Sequence, residues 1–296
     1  MKLAVTGPSG HIGRRLTELL LNDGSHEVIL LARTPEKLSN EVSRGATVAK
    51  GVLDDAEFIK SATKGIDAMF WMIPTDIHAD DNRAHYRIFA HSAVEAVRVN
   101  KIKHVVLLSS IGAHLKDGVG PVNGSTEAEK MLREVVPSLT ILRPAYFMEN
   151  FMMSLQSIAM ANSIFMPASG TTTTPMIATA DIAEQAYKAL TGPPPSGVNI
   201  VPIRGPKDYS FNEAADVIGK HLGRKVTFVR STPEQTREAL IGIGASEHMA
   251  NQFIEMYDAM ETGRLKFEIP EEKVKPTKTS LETFVDTTMA PAMKTM

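Results

Sequence analysis

The chain has 296 residues, of which 43% are apolar and 22% are charged, a composition typical of a folded globular protein. Its formal net charge of -2 offers no positive field to nucleic acid or an anionic membrane, so we expect neither as a direct partner. The absence of cysteine excludes disulfides, thiolate metal sites and cysteine nucleophiles. The first apolar stretch, ended by Gly7, is too short for a signal peptide, and no run approaches a membrane span. A cytoplasmic location is therefore expected.

Short apolar strands alternate with helical segments in the first half of the chain, a pattern typical of βαβ units and a parallel sheet. An amphipathic helix is predicted from Ile12 through Leu20, and another within residues 80–99 with Ile88, Ala93 and Val97 on its sheet-facing side. The strands are predicted at residues 3–6, 28–32, 46–49, 68–73, 104–109 and 138–142. Six such strands fit a doubly wound sheet.

The regular alternation stops after Pro144, where a segment rich in Met and Phe and then the run Thr171–Thr174 follow. A helix at 181–190 and a strand at 198–201 are expected to return to the sheet. The predicted fold class is α/β, a doubly wound parallel sheet (Rossmann) with a smaller, mostly helical C-terminal lobe. Residues 1–150, with 175–203, would form the sheet domain; residues 151–174 and 204–296 would form the second lobe.

Two of the later helix starts match the capping box, in which a hydroxyl and a glutamate satisfy each other's backbone amides. The pairs are Thr126 with Glu129 and Ser210 with Glu213. They predict helix boundaries and carry no chemistry.

The most specific motif is Thr6-Gly7-Pro8-Ser9-Gly10-His11-Ile12-Gly13, between the first strand and the first helix. Glycines there allow a sharp turn, a close backbone approach to a pyrophosphate and close packing of helix on sheet. The helix N-terminus then offers free N–H groups to the phosphates. The motif predicts that the sheet domain binds a dinucleotide, with contacts from Gly7, Ser9, Gly10, His11, Ile12 and Gly13.

The end of the second strand indicates which dinucleotide is bound. An NAD site usually has Asp or Glu about 20 residues past the glycine turn, where it accepts from the ribose 2′-hydroxyl. This chain has Arg33 there, followed by Thr34 and Lys37. A guanidinium binds a 2′-phosphate through two parallel charge-assisted hydrogen bonds, whereas an acid repels it. NADP(H) is therefore favoured over NAD(H).

With these residues in view, the sequence resembles the NmrA-like branch of atypical short-chain dehydrogenase/reductases, most of all the quinone oxidoreductase and triphenylmethane reductase type. The G-x-x-G-x-x-G spacing of the turn is the variant found in that superfamily. The other shared segments are Ala4-Val5-Thr6-Gly7, Ala32-Arg33-Thr34-Pro35-Glu36-Lys37, Glu129-Lys130-Met131-Leu132, Leu142-Arg143-Pro144-Ala145-Tyr146 and Met256-Tyr257-Asp258-Ala259.

The resemblance implies further site residues. The adenine would contact Val52 and Leu53, where relatives often carry Gly-Asp and this chain has Gly51-Val52. The nicotinamide side would be bordered by Met72, Ile73, Pro74 and Ser109. Substrate would lie against Tyr146, Phe147, Asn150 and Phe151.

Ordinary members of the superfamily use Tyr-x-x-x-Lys, in which the lysine lowers the tyrosine pKa for proton exchange with substrate. None of the five tyrosines here has lysine four residues later. By similarity the two slots hold Pro121 and Ser125, so no catalytic residue is assigned. This disfavours alcohol–ketone interconversion and sugar epimerisation. It favours hydride transfer to a small-molecule conjugated acceptor such as a quinone, with rate supplied by proximity.

Two alternatives accompany this interpretation. A chain without an acid/base pair could instead be a non-catalytic NADP(H)-binding redox sensor that acts through a protein partner; a homodimer is also left open. The cluster His78, Asp80, Asp81 and His85 has metal-binding residue types, but acids at a helix start more often complement the helix dipole. No metal site is predicted.

Overall fold

A computed structural model of the chain describes residues 1–38, 40–41 and 44–295. Its strands, in chain order, are β1 (Lys2–Thr6), β2 (Glu27–Ala32), β3 (Thr47–Lys50), β4 (Ala68–Trp71), β5 (His104–Leu108), β6 (Ser138–Pro144), β7 (Tyr146–Phe147), β8 (Ser163–Met166), β9 (Thr173–Ile177), β10 (Gly197–Ile203), β11 (Asp208–Ser210) and β12 (Thr227–Arg230).

The helices are α1 (His11–Asp23), α2 (Ala56–Ala62), α3 (Asn82–Asn100), α4 (Val122–Arg133), α5 (Leu155–Ala161), α6 (Thr179–Thr191), α7 (Phe211–His221), α8 (Pro233–Gly242) and α9 (Glu247–Glu261). Short 3-10 segments lie at Pro35–Leu38, Met148–Ser154 and Glu271–Lys273. A last helical segment consists of Leu281–Phe284, a π-helical turn over Val285–Met289, and Ala290–Lys294. No helix in these described ranges has the length and apolar character needed to cross a membrane.

The main sheet has seven strands in the order β10-β6-β5-β4-β1-β2-β3, and every pairing in it is parallel. The strand order reverses between β1 and β4, which opens a crevice at the carboxyl ends of these strands. The predicted doubly wound sheet is confirmed. Strands β4 and β5 end at Trp71 and Leu108, earlier than predicted, so Met72, Ile73 and Ser109 lie just beyond the sheet.

Both faces of this sheet are covered, because side chains alternate between faces along each strand and nearly all of them are apolar. Leu3 and Val5 face α1 and α6, where Leu16, Leu20 and Ile182 complete one core. Ala4 and Trp71 face the other way. On that side the core is completed by residues of α2, α3 and α4, including Ile59, Ala93, Val97, Ala128 and Leu132.

A third core lies in the region after the main sheet. It is built around Phe151, Tyr209 and Phe211 and the final helical segment. Two small sheets join this region to the rest, one with the order β11-β9-β7 and one pairing β12 with β8. The C-terminal region is mostly helical, as predicted, although the strands of these small sheets were not anticipated.

Two helix predictions were wrong. Ile88 is 53% exposed, because the buried face of α3 follows Tyr86, Ala90 and Ala93. Thr126 does not cap a helix: α4 begins a turn earlier, and the Thr126 hydroxyl donates to the Ala113 and Leu115 carbonyls. The S/T-x-x-E pattern arises anywhere on a helix and becomes a cap only where the helix starts. The Ser210 and Glu213 capping box is confirmed.

Helix α9 is fastened across the molecule to the loop between β4 and α3. The Ser246 amide donates to the Ile77 carbonyl at 2.8 Å and its hydroxyl to the Ala79 carbonyl at 2.6 Å. The Asn82 amide donates to Nε2 of His248 at 3.1 Å. We call these three hydrogen bonds of Ser246 and His248 the α9 seam. Helix α8, which directly precedes it in the chain, contributes no buried side chain.

Candidate functional site

The turn between β1 and α1 depends on two of its glycines for internal reasons. Gly7 has φ +62°, and a Cβ there would lie 2.5 Å from the Met72 sulfur. A Cβ on Gly13 would collide with the Gly7 carbonyl. These two positions exclude side chains because the turn folds back on its own backbone and on β4.

Gly10 differs from these two glycines. Its backbone is extended, with φ -83° and ψ 170°, and a Cβ added at this position would have the Gly7 carbonyl oxygen as its nearest neighbour, at an ordinary 3.5 Å. Nothing inside the chain therefore requires glycine at this exposed position. Its missing side chain leaves open space directly in front of helix α1, the space a bound group would use.

Helix α1 begins there without a side-chain cap, since its N-cap residue is Gly10. The first turn, His11 to Gly13, contains no acidic residue. Free N–H groups and the positive end of the helix dipole thus face the open space, which suits an anion such as a pyrophosphate. Ser9 and His11 are exposed beside it, and Ile12 is buried beneath it. These residues fit the dinucleotide predicted from the motif.

The predicted 2′-phosphate residues lie at the same edge of the sheet. Arg33, Thr34 and Lys37 follow β2 and are all exposed. Among the described residues, no carboxylate forms an ion pair with the Arg33 guanidinium, so none of them neutralises its charge. Val52, at the end of β3, is 41% exposed, and Leu53 is half-buried.

A cleft of about 300 Å³ continues from the glycine turn between the sheet edge and α9. It brings together seven of the predicted site residues, namely Ile12, Met72, Ile73, Ser109, Tyr146, Phe147 and Asn150. Pro74 lies nearby, and its carbonyl contacts Nε2 of His85 at 2.8 Å. Phe151 lies elsewhere: its ring is fully buried and packs edge-on against Tyr146 at 6.0 Å.

The far wall of the cleft contains residues that the sequence did not indicate. They are Thr75, Tyr86, Leu108, Thr174, Phe253, Met256, Met260 and Leu265, together with the first residues of α4. This wall combines apolar and aromatic side chains with the hydroxyls of Thr75, Tyr86, Ser125 and Thr174. Flat apolar ligands suit such a surface.

Tyr86 reaches the cleft from α3 by crossing the start of α4. Its ring fills the space a side chain at Gly124 would need, since a Cβ added there would lie only 2.6 Å from the ring carbon Cγ. Thr75 and Ser125 line the cleft together with Tyr86. Burial raises the pKa of the Tyr86 phenol. The Asn82 amide side chain, one turn earlier on α3, donates to the Pro121 carbonyl at 2.9 Å.

Tyr146 also lines the cleft. Its hydroxyl lies 3.4 Å from the Tyr257 hydroxyl and also interacts with the Asn150 side chain. Burial and the neighbouring Tyr257 hold the pKa of Tyr146 well above that of a free phenol. Both cleft phenols therefore stay protonated and can donate hydrogen bonds at neutral pH.

Comparison with known proteins decides the family. The profile of the NmrA-like family matches residues 1–291. The chain belongs to the NmrA-like family. The resemblance indicated by the sequence motifs is thereby confirmed.

Individual NmrA-like relatives cover most of the chain. An NAD(P)H azoreductase from Xenophilus azovorans is 28% identical over 255 residues, which are 86% of this chain and 86% of the relative. The solved NADPH-dependent quinone oxidoreductase of Escherichia coli, complexed with NADPH, superposes with TM-score 0.79 at 21% identity, covering 96% of this chain and 98% of that one. Citrobacter sp. triphenylmethane reductase complexed with NADP(H) gives 0.79 at 21%, with coverages of 97% and 99%. The structural likenesses show a shared fold.

A buried charge network supports the cleft of this NmrA-like chain from behind. The Glu129 carboxylate accepts from Arg143 at 2.5 and 2.9 Å and from the Ser109 hydroxyl at 2.6 Å. Arg143 also pairs with Glu268 at 2.6 Å. These carboxylates raise the pKa of Arg143 against the effect of its burial. Glu129 is thus a structural anchor, and the Ser109 side chain is engaged with it at the cleft edge.

The candidate metal cluster has other partners. Asp81 caps α3 by accepting from the Ala84 amide at 2.9 Å, and this hydrogen bond lowers the pKa of its carboxyl. His85 contacts the Pro74 carbonyl, and Nδ1 of His78 lies 2.6 Å from the Gly244 carbonyl. Each of these groups has a local structural role.

Proposed function

We propose that this chain is an NADPH-dependent oxidoreductase that transfers a hydride directly to a quinone or a similar conjugated acceptor, without a Tyr-Lys acid/base pair. The observation that carries the proposal is the continuity of the cleft. It runs from Ile12, at the open helix N-terminus, past Met72 and Ile73 to an aromatic and methionine-lined wall. A nicotinamide placed along the first part would face a flat acceptor in the second.

The names of the relatives support the reaction class, since they describe reduction of azo compounds, quinones and triphenylmethane dyes. When bound, the cofactor would supply the hydride. The protein contributes position: the glycine turn and α1 hold the phosphates, while the apolar wall excludes water and keeps the acceptor in contact.

The preference for NADPH rests on Arg33. Its side chain is exposed at the end of β2, where the ribose of a dinucleotide bound at the turn would lie. With no carboxylate partner among the described residues, the guanidinium is available to a 2′-phosphate. Val52, in place of an acid on the neighbouring strand end, adds no negative charge.

The test is a turnover screen with purified protein. NADPH and NADH oxidation are followed by absorbance with a benzoquinone, a naphthoquinone, an azo dye and a cationic triphenylmethane dye. We expect turnover of at least one acceptor, faster with NADPH. NADPH binding without turnover of any acceptor would overturn the reductase proposal and favour a sensor.

The cofactor preference is tested separately with Arg33→Asp. Loss of the charge-assisted contacts and repulsion of the 2′-phosphate should weaken NADPH binding by about 10- to 100-fold, that is about 1.4 to 2.8 kcal/mol. NADH binding should change little. Arg44→Asp, a charge reversal on a side chain that hydrogen-bonds to Asn22, is the control. Equal weakening of both dinucleotides by Arg33→Asp would remove the case for NADPH.

A further inference from the structure

The cleft contains a phenol that hydride transfer alone does not use. Tyr86 is 8% exposed and lines the cleft beside Met72, Ile73 and Ser125. A tyrosine whose only task was to fill the space above Gly124 could be a phenylalanine. Tyrosine adds a hydroxyl, and two further hydroxyl-bearing residues, Thr75 and Ser125, line the same cleft.

The position of this hydroxyl is fixed by packing. The Tyr86 ring lies against the backbone of α4 at Gly124, and the ring of His85 packs against it edge-on at 5.8 Å. One turn earlier on α3, Asn82 ties that helix to Pro121 at the start of α4. A hydroxyl held in this way can act on a ligand without a search through rotamers.

We propose that Tyr86 is the proton donor of this site, giving its phenolic proton to the acceptor oxygen on which negative charge develops as the hydride arrives. The inference rests on the proposed function. Tyr86 and Ser125 would then take the place of the Tyr-x-x-x-Lys pair, which in ordinary members of the superfamily exchanges a proton with substrate from a single helix. Here the phenol would come from α3 and the second residue from α4.

Hydride and proton reach a quinone from different donors. The acceptor gains a hydride, with two electrons, from the nicotinamide, and NADPH becomes NADP⁺. The Tyr86 O–H bond breaks and an O–H bond forms on the acceptor oxygen. The Tyr86 oxygen then recovers a proton from water, with the Ser125 and Thr75 hydroxyls holding it in place. One proton is taken from solution per acceptor reduced.

Burial raises the pKa of Tyr86, which keeps the phenol protonated at neutral pH. The proton is therefore present when the acceptor binds, and a phenol is an acid of strength similar to the reduced acceptor it would serve. Ser125, which lines the cleft with Tyr86, would act as a positioning residue, because its hydroxyl would hold the phenol oxygen and would not supply the proton.

Two acceptors separate chemistry from structure. A quinone needs a proton on oxygen after it receives a hydride. A cationic triphenylmethane dye receives the hydride on carbon and becomes neutral without any proton. Tyr86→Phe keeps the ring over Gly124 and removes only the hydroxyl. Tyr187→Phe is the matched control, because the Tyr187 hydroxyl bonds to Asp23 at 2.8 Å, away from the cleft.

We expect Tyr86→Phe to lower kcat with the quinone by about 100-fold, the lower end of what general acid catalysis contributes. Turnover of the dye and the Kd for NADPH should stay within about twofold of wild type, and added imidazolium buffer should restore part of the quinone rate. Ser125→Ala should show the same selectivity with a smaller loss. Tyr187→Phe should match wild type with both acceptors.

An active wild type in which Tyr86→Phe leaves the quinone rate unchanged, or lowers both rates equally, would overturn the role of Tyr86 while leaving the reductase intact. A wild type that reduces neither acceptor would overturn the proposed function, and this inference with it.

Discussion

The two walls of the cleft are built in opposite ways. The wall proposed to hold the nucleotide, called the nucleotide wall below, is one continuous segment, residues 6–13. It is built from backbone: a turn, a missing Cβ at Gly10 and the free end of α1. The wall proposed to hold the acceptor, called the acceptor wall below, is assembled from side chains of α3, α4, α9 and the segment after β6. A backbone site requires particular residues at fixed spacing, whereas a side-chain site requires only a fold that brings distant residues together.

The largest effect should come from the charges behind the acceptor wall. Glu129→Ala would leave Arg143 buried without its bidentate partner, and breaking such a pair costs about 3–5 kcal/mol. Urea unfolding followed by circular dichroism measures the loss. Glu134→Ala, at an exposed position one residue past α4, should change stability by less than about 0.5 kcal/mol. Equal effects of the two changes would contradict a structural role for the Glu129 network.

The next largest effect should be a loss of NADPH affinity, caused by a change in the nucleotide wall that leaves the fold intact. Gly10→Val fills the space in front of α1, so NADPH affinity should fall by at least about 100-fold, or about 2.7 kcal/mol. The extended backbone at Gly10 accepts valine, and the poorer N-cap should cost only about 1 kcal/mol of stability. Fluorescence titration and thermal unfolding measure the two quantities. Unchanged NADPH affinity would show that the dinucleotide binds elsewhere.

A smaller loss, this time of folding stability, should follow from disturbing the side-chain packing of the acceptor wall. Gly124→Ala sets a methyl group against the Tyr86 ring; overpacking costs about 1–3 kcal/mol, partly offset by the higher helix propensity of alanine. We expect a net loss of about 1–2 kcal/mol in chemical unfolding. Gly242→Ala, on α8, where an added Cβ would have no atom within 4 Å, should instead be neutral or stabilising. A stabilised Gly124→Ala protein would show that the Tyr86 ring is free to move.

The smallest effect is a pH dependence that involves neither wall. His104 begins β5 at the opposite edge of the sheet, and burial lowers its pKa from 6.5. Below that pH the unfolded chain binds a proton that the folded chain does not, so stability should fall as pH decreases, by less than about 1.4 kcal/mol per unit. Burial of His114 acts in the same direction. Urea unfolding between pH 7.5 and 5.5 should show a shallower decline in His104→Gln; an identical slope would exclude His104 as a source.

The same contrast explains what the sequence could predict. The seven strands of the main sheet and the turn were predicted because apolar runs and glycine spacing are local patterns. Tyr146, Phe147 and Asn150, which line the cleft, were named from the family resemblance. Tyr86 was missed because its helical spacing suits a core residue equally well. Its position in the cleft depends on Gly124, 38 residues later, lacking a side chain.

Errors arose where one pattern serves two purposes. Phe151 is adjacent to Asn150, but the 3-10 segment Met148–Ser154 directs its ring into the third core. Glu129 matched the capping pattern, but its carboxylate forms an ion pair with Arg143, and only the tertiary fold brings these two residues together. The residues of α9, including Phe253 and Met256, reach the cleft because the α9 seam, the hydrogen bonds of Ser246 and His248 to the loop between β4 and α3, holds the start of that helix in place.

Helix α8 makes the two sides of the cleft unequal in local stability. Since it buries no side chain, unfolding it exposes little apolar surface, and its amides should exchange hydrogen for deuterium through openings far less costly than global unfolding. Helix α1 beyond its first turn, packed on the sheet through Leu16 and Leu20, should exchange only through global unfolding. Slow opening should then begin at α8 and reach Gly244 and Ser246 well before it reaches the sheet that carries the glycine turn.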